Sequence, residues 1–290
     1  MPSETSNPTR ARSDYAFGVI ILIISAVAFS SAGIFTKGVT AAAWDVIFWR
    51  GVFAAVSTTL WVGTRRSLNA EFVNMGPSGL AVGVIGAVGT AALIPAFKMT
   101  DIANVALIYA AAPFLAAMLA WLTIAERVSK RTAIGAAGAL FGVVIIVAGS
   151  IGQVNLIGDG LALLMTLVMA MIMVIYRAWP NTPSAGPSVL QSLLLIPLAL
   201  TFGTPLQTTS SEIAILAAFG VIHAIASVTL AEGAKRVPSG QTALLGALET
   251  PLAPILAFVI LNEVPAGPTL IGGVVVFAAV LLSIRDNQAG

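Results

Sequence analysis

Ten stretches of about 20 mostly apolar residues follow one another along this chain, and nothing else in it limits the fold so much. They lie at about 15–36, 43–63, 77–97, 102–124, 132–150, 158–178, 187–203, 212–233, 239–261 and 267–284. Each is long enough to cross a bilayer as a helix. The apolar runs are continuous, without the alternation of a barrel strand. Only 9% of the residues are charged, against about 25% in a soluble domain, so the main solvent must be lipid. The expected fold is all-α and integral to the membrane, one domain over 1–290. The seventh run is short and contains Pro197, so its ends are the least defined. The polar start MPSETSNPTRARSDY leads into the first run with no small-residue cleavage site. It reads as the approach to a first span and not as a removable signal.

Lysines and arginines set the orientation. With ten spans threaded, the N-terminal side holds Arg10, Arg12, Arg65, Arg66, Arg127, Lys130, Arg131, Arg177, Lys235, Arg236 and Arg285. The other side holds Lys37 and Lys98, and Arg50 falls inside the second run. The expectation is a multi-pass protein of the cell membrane, inner or plasma, with both termini cytoplasmic. No basic run of the kind that tracks phosphates is present, so no nucleic-acid partner is expected. The absence of cysteine excludes disulfides and thiolate metal sites. HExxH, P-loop and paired-aspartate motifs are missing too, and GVIGAVG at 83–89 lies inside a span, where it reads as helix packing. Neither enzymatic chemistry, a cofactor nor a metal is expected.

The chain also repeats. Shifted by 137 residues, 98–143 and 235–280 share thirteen identities in 46 positions, among them Lys98/Lys235, Glu126/Glu263, Thr132/Thr269 and Gly135/Gly272. The repeats run from about 15–150 and 158–285. Five spans per repeat is odd, so the second half must enter the membrane from the opposite side. Inverted-topology repeats of this kind typify transporters with a central site.

APFLAAMLAWLTIAERVSKRTAIGAAGALFGVVIIVAG and LETPLAPILAFVILNEVPAGPTLIGGVVVFAAVL resemble the twin signature of the drug/metabolite transporter superfamily, in its ten-helix EamA-like branch. FWRGVFAA resembles that family's arginine-bearing second helix, and AFKMTDIANVALIYAAAP its third-to-fourth helix junction. The overall pattern is most similar to aromatic amino-acid exporters of the branch. One departure is visible: the proline expected directly after Leu-Glu is replaced by Thr250, with Pro251 following, which shifts the expected kink by one residue. The resemblance implies secondary export of amino acids, aromatic or apolar, by alternating access. It places the substrate in a central cavity between spans 1, 3, 4 and 6, 8, 9. A proton-coupled exporter of cationic drugs, or a membrane protein that binds without translocating, are the alternatives. The partners expected are the small-molecule substrate and the lipid bilayer, and the chain is expected to act as a monomer.

Glu249 is the first candidate residue. A carboxylate in mid-span is costly and usually faces a cavity or a partner, to contact a substrate ammonium or take a proton; the plainer reading is a hydrogen bond that fixes span nine. His223, the one histidine, falls mid-span in the eighth run and is either a ligand contact or a satisfied core group. Tyr109, Asn104 and Gln241 are polar groups that would orient a zwitterion. Met165, Met169 and Met173 recur at one-turn spacing and, with Tyr176, would form an adaptable apolar wall or plain packing. Lys98 would draw a carboxylate to one mouth or simply end its helix at the headgroups. Arg50 reads as a structural pairing residue. Pro95, Pro113, Pro251, Pro254 and Gly33 are soft points at which helices would bend. Glu126 and Glu263 end spans four and nine and are expected to cap or pair at the rim.

Overall fold

A computed structural model describes residues 8–100, 102–148, 155–261 and 267–284. The described chain is helical: α1 Pro8–Ser30, α2 Ala32–Lys37, α3 Ala43–Thr64, α4 Gly76–Met99, α5 Ile102–Tyr109, α6 Ala112–Ile124, α7 Lys130–Ala148, α8 Leu156–Ala178, α9 Ala185–Phe202, α10 Ser210–Ala234, α11 Ser239–Gly246, α12 Glu249–Leu261 and α13 Gly267–Ile284. A five-residue π-turn, Asn69–Val73, joins α3 to α4. Seven stretches among the described residues are long and apolar enough to span a membrane unaided. The other three spans are α7, the α11–α12 pair and α13, and together they make ten spans in two inverted halves.

Three spans expected to be continuous are not, and two of them break in the same way. The fourth divides into α5 and α6 at Ala110–Ala111, the ninth into α11 and α12 at Ala247–Leu248. The physical cause is proline: Pro113 and Pro251 have no N–H to continue the ladder, and each ring crowds the carbonyl four residues back. Both therefore sit in the first turn of a new helix, where no donor is lost. The turn between tightens into three-residue bonds, Ala111 N–H to the Ile108 carbonyl (3.1 Å) and Leu248 N–H to the Leu245 carbonyl (3.2 Å). The kink expected to shift by one residue does not shift. The starts of α5, α6 and α7 at 102, 112 and 130 recur at 239, 249 and 267, all displaced by 137.

The other expected soft points divide. The first span breaks at Ser31, where the hydroxyls of Ser30 and Ser31 donate to the Val27 and Ala28 carbonyls (2.6 and 2.7 Å) and bend the helix. Gly33 lies just past that break, in α2. Pro95 and Pro197 are carried inside unbroken helices. Pro254 lies within α12, and its side chain is outside the described residues. The seventh span, expected at 187–203, begins two residues earlier, at Ala185.

Small residues let the halves close together. On α7, Gly135 and Gly138 face Ala279 of α13, and a methyl placed on Gly142 would fall 2.8 Å from the Gly272 carbonyl. Spans five and ten thus pack backbone to backbone, as small residues permit in lipid. A continuous core runs from Val19 and Leu22 through Tyr109 and Ala116 to Met173, Leu244 and Val276, so it joins both repeats.

Candidate functional site

Under the 137-residue shift Tyr109, the last residue of α5, corresponds to Gly246, the last of α11. The two positions also meet in space: a methyl on Gly246 would lie 3.0 Å from the Tyr109 hydroxyl and 3.8 Å from Met173 Cε of α8. The breaks of the fourth and ninth spans therefore face each other at the junction of the repeats, and the missing side chain of Gly246 is the space that Tyr109 occupies. Tyr109 is 5% exposed, and its hydroxyl has no hydrogen-bond partner among the described residues. A buried unpaired hydroxyl is costly unless a ligand or water completes it.

Glu249 opens α12, one turn beyond that junction. It is half-buried and accepts no hydrogen bond from any described residue. Its charge lies within electrostatic reach of the Tyr109 hydroxyl. The position has a reason: the first residue of a helix sits in the positive end of the helix dipole, which favours a carboxylate. A half-helix N-terminus inside the bundle is also where transporters place charge. Met173 of α8, fully buried, is the methionine that meets this centre, while Met165, nearly buried, and Met169, partly so, belong to the same core.

A second polar cluster lies among α3, α4, α9 and α10. Arg50 is 2% exposed. Its Nη1 donates to His223 Nδ1 (3.0 Å) and its Nη2 to Thr90 Oγ1 (3.2 Å). Arginine has no acceptor, so His223 Nδ1 must accept and the ring proton sits on Nε2, 3.3 Å from Ser227 Oγ. Gln191 Nε2 also donates to Thr90 Oγ1, at 2.7 Å. The guanidinium stacks 5.4 Å over Phe219, which is itself stacked on Phe35 of α2 at 5.2 Å. No described carboxylate pairs with it, and its Nε–H is buried without a partner among the described residues. A charge in mid-membrane costs about 3 kcal/mol even on insertion scales, so a cation enclosed by neutral groups is unusual. Asp45, five residues before Arg50, accepts from the Thr204 N–H (2.7 Å) instead.

The remaining expected site residues are committed elsewhere. Gln241 Nε2 donates to the Ser283 carbonyl (2.9 Å), and its Oε1 accepts from the Tyr15 hydroxyl (3.0 Å). Lys98 Nζ donates to the Val39 carbonyl (2.9 Å) at the end of the bundle away from the basic loops. Tyr176 lies at the basic end, 5.7 Å beneath Lys235 Nζ. Asn104 is in α5, but its side chain lies outside the described residues.

The basic end carries a lattice that sequence reasoning did not single out. Arg236 donates from Nε to Asp14 of α1 (3.1 Å) and from Nη1 to Glu232 of α10 (2.6 Å). Lys235 Nζ donates to Glu232 (2.6 Å) and to Ser184 (2.7 Å), and Ser184 also bonds Glu232. Burial alone would lower the Arg236 guanidinium, but its bonds to Glu232 and Asp14 hold it above its ordinary value. Glu126 accepts from Arg177 Nε (2.8 Å) and from the Ser239 N–H that begins α11 (2.9 Å), so it pairs and caps at the rim as expected. Its twin Glu263 lies outside the described residues. Glu71 caps α9 through the Ala185 and Gly186 N–H groups (2.9 and 3.0 Å). At the opposite end Glu212 accepts from the Thr40 and Ala41 N–H groups (2.6 and 3.2 Å). Asp14, Glu71, Glu126 and Glu212 each tie one repeat to the other, whereas Glu232 binds Ser184, Lys235 and Arg236 within its own repeat. Thr90, Gln191 and Phe219 also went unremarked; Gln191, an amide inside the seventh run, was the one legible signal.

This geometry is that of a two-repeat membrane transporter. The chain belongs to the EamA-like transporter family, whose model matches it twice, over residues 16–148 and 156–285. It is thus a multi-pass membrane transporter of small solutes. A solved crystal structure is similar with a TM-score of 0.73 at 17% identity, covering 96% of this chain and 98% of its own. At that identity the likeness carries the fold alone. Comparison with curated proteins gave no match.

Proposed function

We propose that this transporter exports amino acids, aromatic or apolar, by alternating access, working as a monomer in the cell membrane with both termini cytoplasmic. The observation that carries the reading is the meeting of the two helix breaks, with the Tyr109 hydroxyl and the Glu249 carboxylate beside it, neither of them bonded to another described residue. The carboxylate suits an ammonium group, the hydroxyl a second polar atom, and Met173 of α8 an apolar side chain. The orientation rests on eleven basic residues at one end against two at the other. On that orientation the ionic lattice of Asp14, Glu232 and Arg236 seals the cytoplasmic mouth, and release of solute to the far side begins from this sealed state. Substrate loading requires the same contacts to part, with the breaks at Ser31, Ala110–Ala111 and Ala247–Leu248 absorbing the change.

A second reading is favoured by Glu249 alone: export of cationic drugs, with that carboxylate as both cation and proton site. One experiment separates the two. The purified protein is reconstituted in liposomes, and flux of radiolabelled amino acids is measured with and without a pH gradient, for wild type and Glu249→Gln. Amino-acid flux in wild type, reduced at least about tenfold in Glu249→Gln, is the expected result. Flux of organic cations with none of amino acids replaces the first reading by the second.

A further inference from the structure

We propose that Arg50, with His223 and Thr90, is the subsite that takes the carboxylate of the transported solute. This deepens the amino-acid reading and rests on it.

The argument starts from what the guanidinium lacks. Its five N–H donors include one used by His223 and one by Thr90, both neutral acceptors. The Nε–H remains buried and has no partner among the described residues, and it shares an edge with a further Nη hydrogen. That planar edge is the one that grips a carboxylate with two parallel bonds. An arginine serving only to staple helices would be expected to meet a carboxylate of the protein. None of the described ones pairs with it: Asp45 is turned to Thr204, and among the described residues no ion pair joins Glu249 to it.

The surroundings hold the group ready. His223 Nδ1 and Thr90 Oγ1 fix two corners of the fork, and Gln191 orients Thr90. Phe219 covers one face of the guanidinium, and Phe35 covers Phe219. Phe35 rides on α2, the six-residue segment severed from α1 at Ser31. The same segment packs against both α10, which carries His223, and α12, which carries Glu249. One small element thus packs on the helices that carry His223 and Glu249, and its displacement frees the outer face of Phe219, the ring that covers the arginine. The signs of Arg50 and Glu249 match the two ends of a zwitterion.

The test uses the full-length purified protein and three probes: phenylalanine, 3-phenylpropionate (carboxylate without ammonium) and 2-phenylethylamine (ammonium without carboxylate). Binding is followed by calorimetry for wild type, Arg50→Gln and Arg50→Lys. Wild type is expected to bind both acids. Arg50→Gln is expected to weaken both acids roughly 10- to 100-fold and to leave the amine unchanged. Arg50→Lys, which keeps the charge but loses the fork, should fall between them and carries the test if Arg50→Gln does not fold. Acid binding unchanged in the variants, acid and amine weakened alike, or no acid binding in wild type overturns the subsite. Acid binding that depends on Arg50 in a protein showing no amino-acid flux leaves the subsite standing and removes the exporter reading. Amino-acid flux whose preference for acid over amine survives in Arg50→Gln does the reverse.

Discussion

Gly220→Val is expected to lower the melting temperature of the purified protein by roughly 5 °C or more and to pull His223 away from Arg50. The reason is backbone proximity. A methyl on Gly220 would stand 2.7 Å from the Arg50 carbonyl and 2.9 Å from the Ala54 nitrogen, with Phe53 Cβ at 2.6 Å. Main-chain atoms of α3 cannot swing aside as a side-chain tip does, so α10 must move out. Overpacking of this kind costs about 1–3 kcal/mol, and a few degrees follow for each kcal/mol in a chain of this size. The displaced helix carries His223 one turn on, so the 3.0 Å bond to Arg50 lengthens with it. Gly160→Val in α8, where nothing lies within 4 Å of the added carbon, is the control and should move the midpoint far less. Fluorescence-detected melting in detergent measures both. Equal shifts in the two variants would mean that α3 and α10 are not in backbone contact.

That close approach shows where sequence reasoning reaches and where it stops. The spans were legible because lipid demands about 20 apolar residues and nothing in the chain competes with that pattern. The inversion was legible because Lys98, Glu126 and Gly135 reappear 137 residues on, after an odd number of spans. The breaks were not. In the sequence a proline that starts a half-helix looks the same as one carried inside a helix, yet Pro113 and Pro251 do the first and Pro95 and Pro197 the second. What distinguishes them is whether packing leaves the freed carbonyl at a junction. Among the site residues, Glu249 stood out as a lone acid, but its lack of a partner among the described residues is a fact of three dimensions. Gln241 stood out equally and turned out to be consumed by Tyr15 and Ser283. The meeting of Arg50 with His223 spans 173 residues and depends on how α3 crosses α10, which no local spacing encodes.

Removing Glu126 is the second large effect, because one carboxylate of the first repeat serves two elements of the second. Its Oε2 accepts from Arg177 of α8 and its Oε1 from the first N–H of α11. An isolated ion pair this near solvent contributes little, about 0–1 kcal/mol. The cap adds about 0.5–2 kcal/mol, and its loss strips the start of a helix only eight residues long. Glu126→Ala should therefore loosen α11 locally far more than it destabilises the whole protein. The chain lacks cysteine, so a single reporter thiol can be placed without background. Ser239→Cys suits the purpose: the site is fully buried directly beneath Glu126, and the hydroxyl it replaces has no partner. With Glu126 present, that thiol should react slowly with a polar maleimide. With Glu126→Ala the rate should rise at least about tenfold, since opening of α11 becomes easier by the energy of the lost cap. Glu126→Gln, which keeps an acceptor for the Ser239 N–H while losing the charge, should recover most of the protection. If it recovers none, the Arg177 pair rather than the cap holds the basic end shut, and the seal is electrostatic.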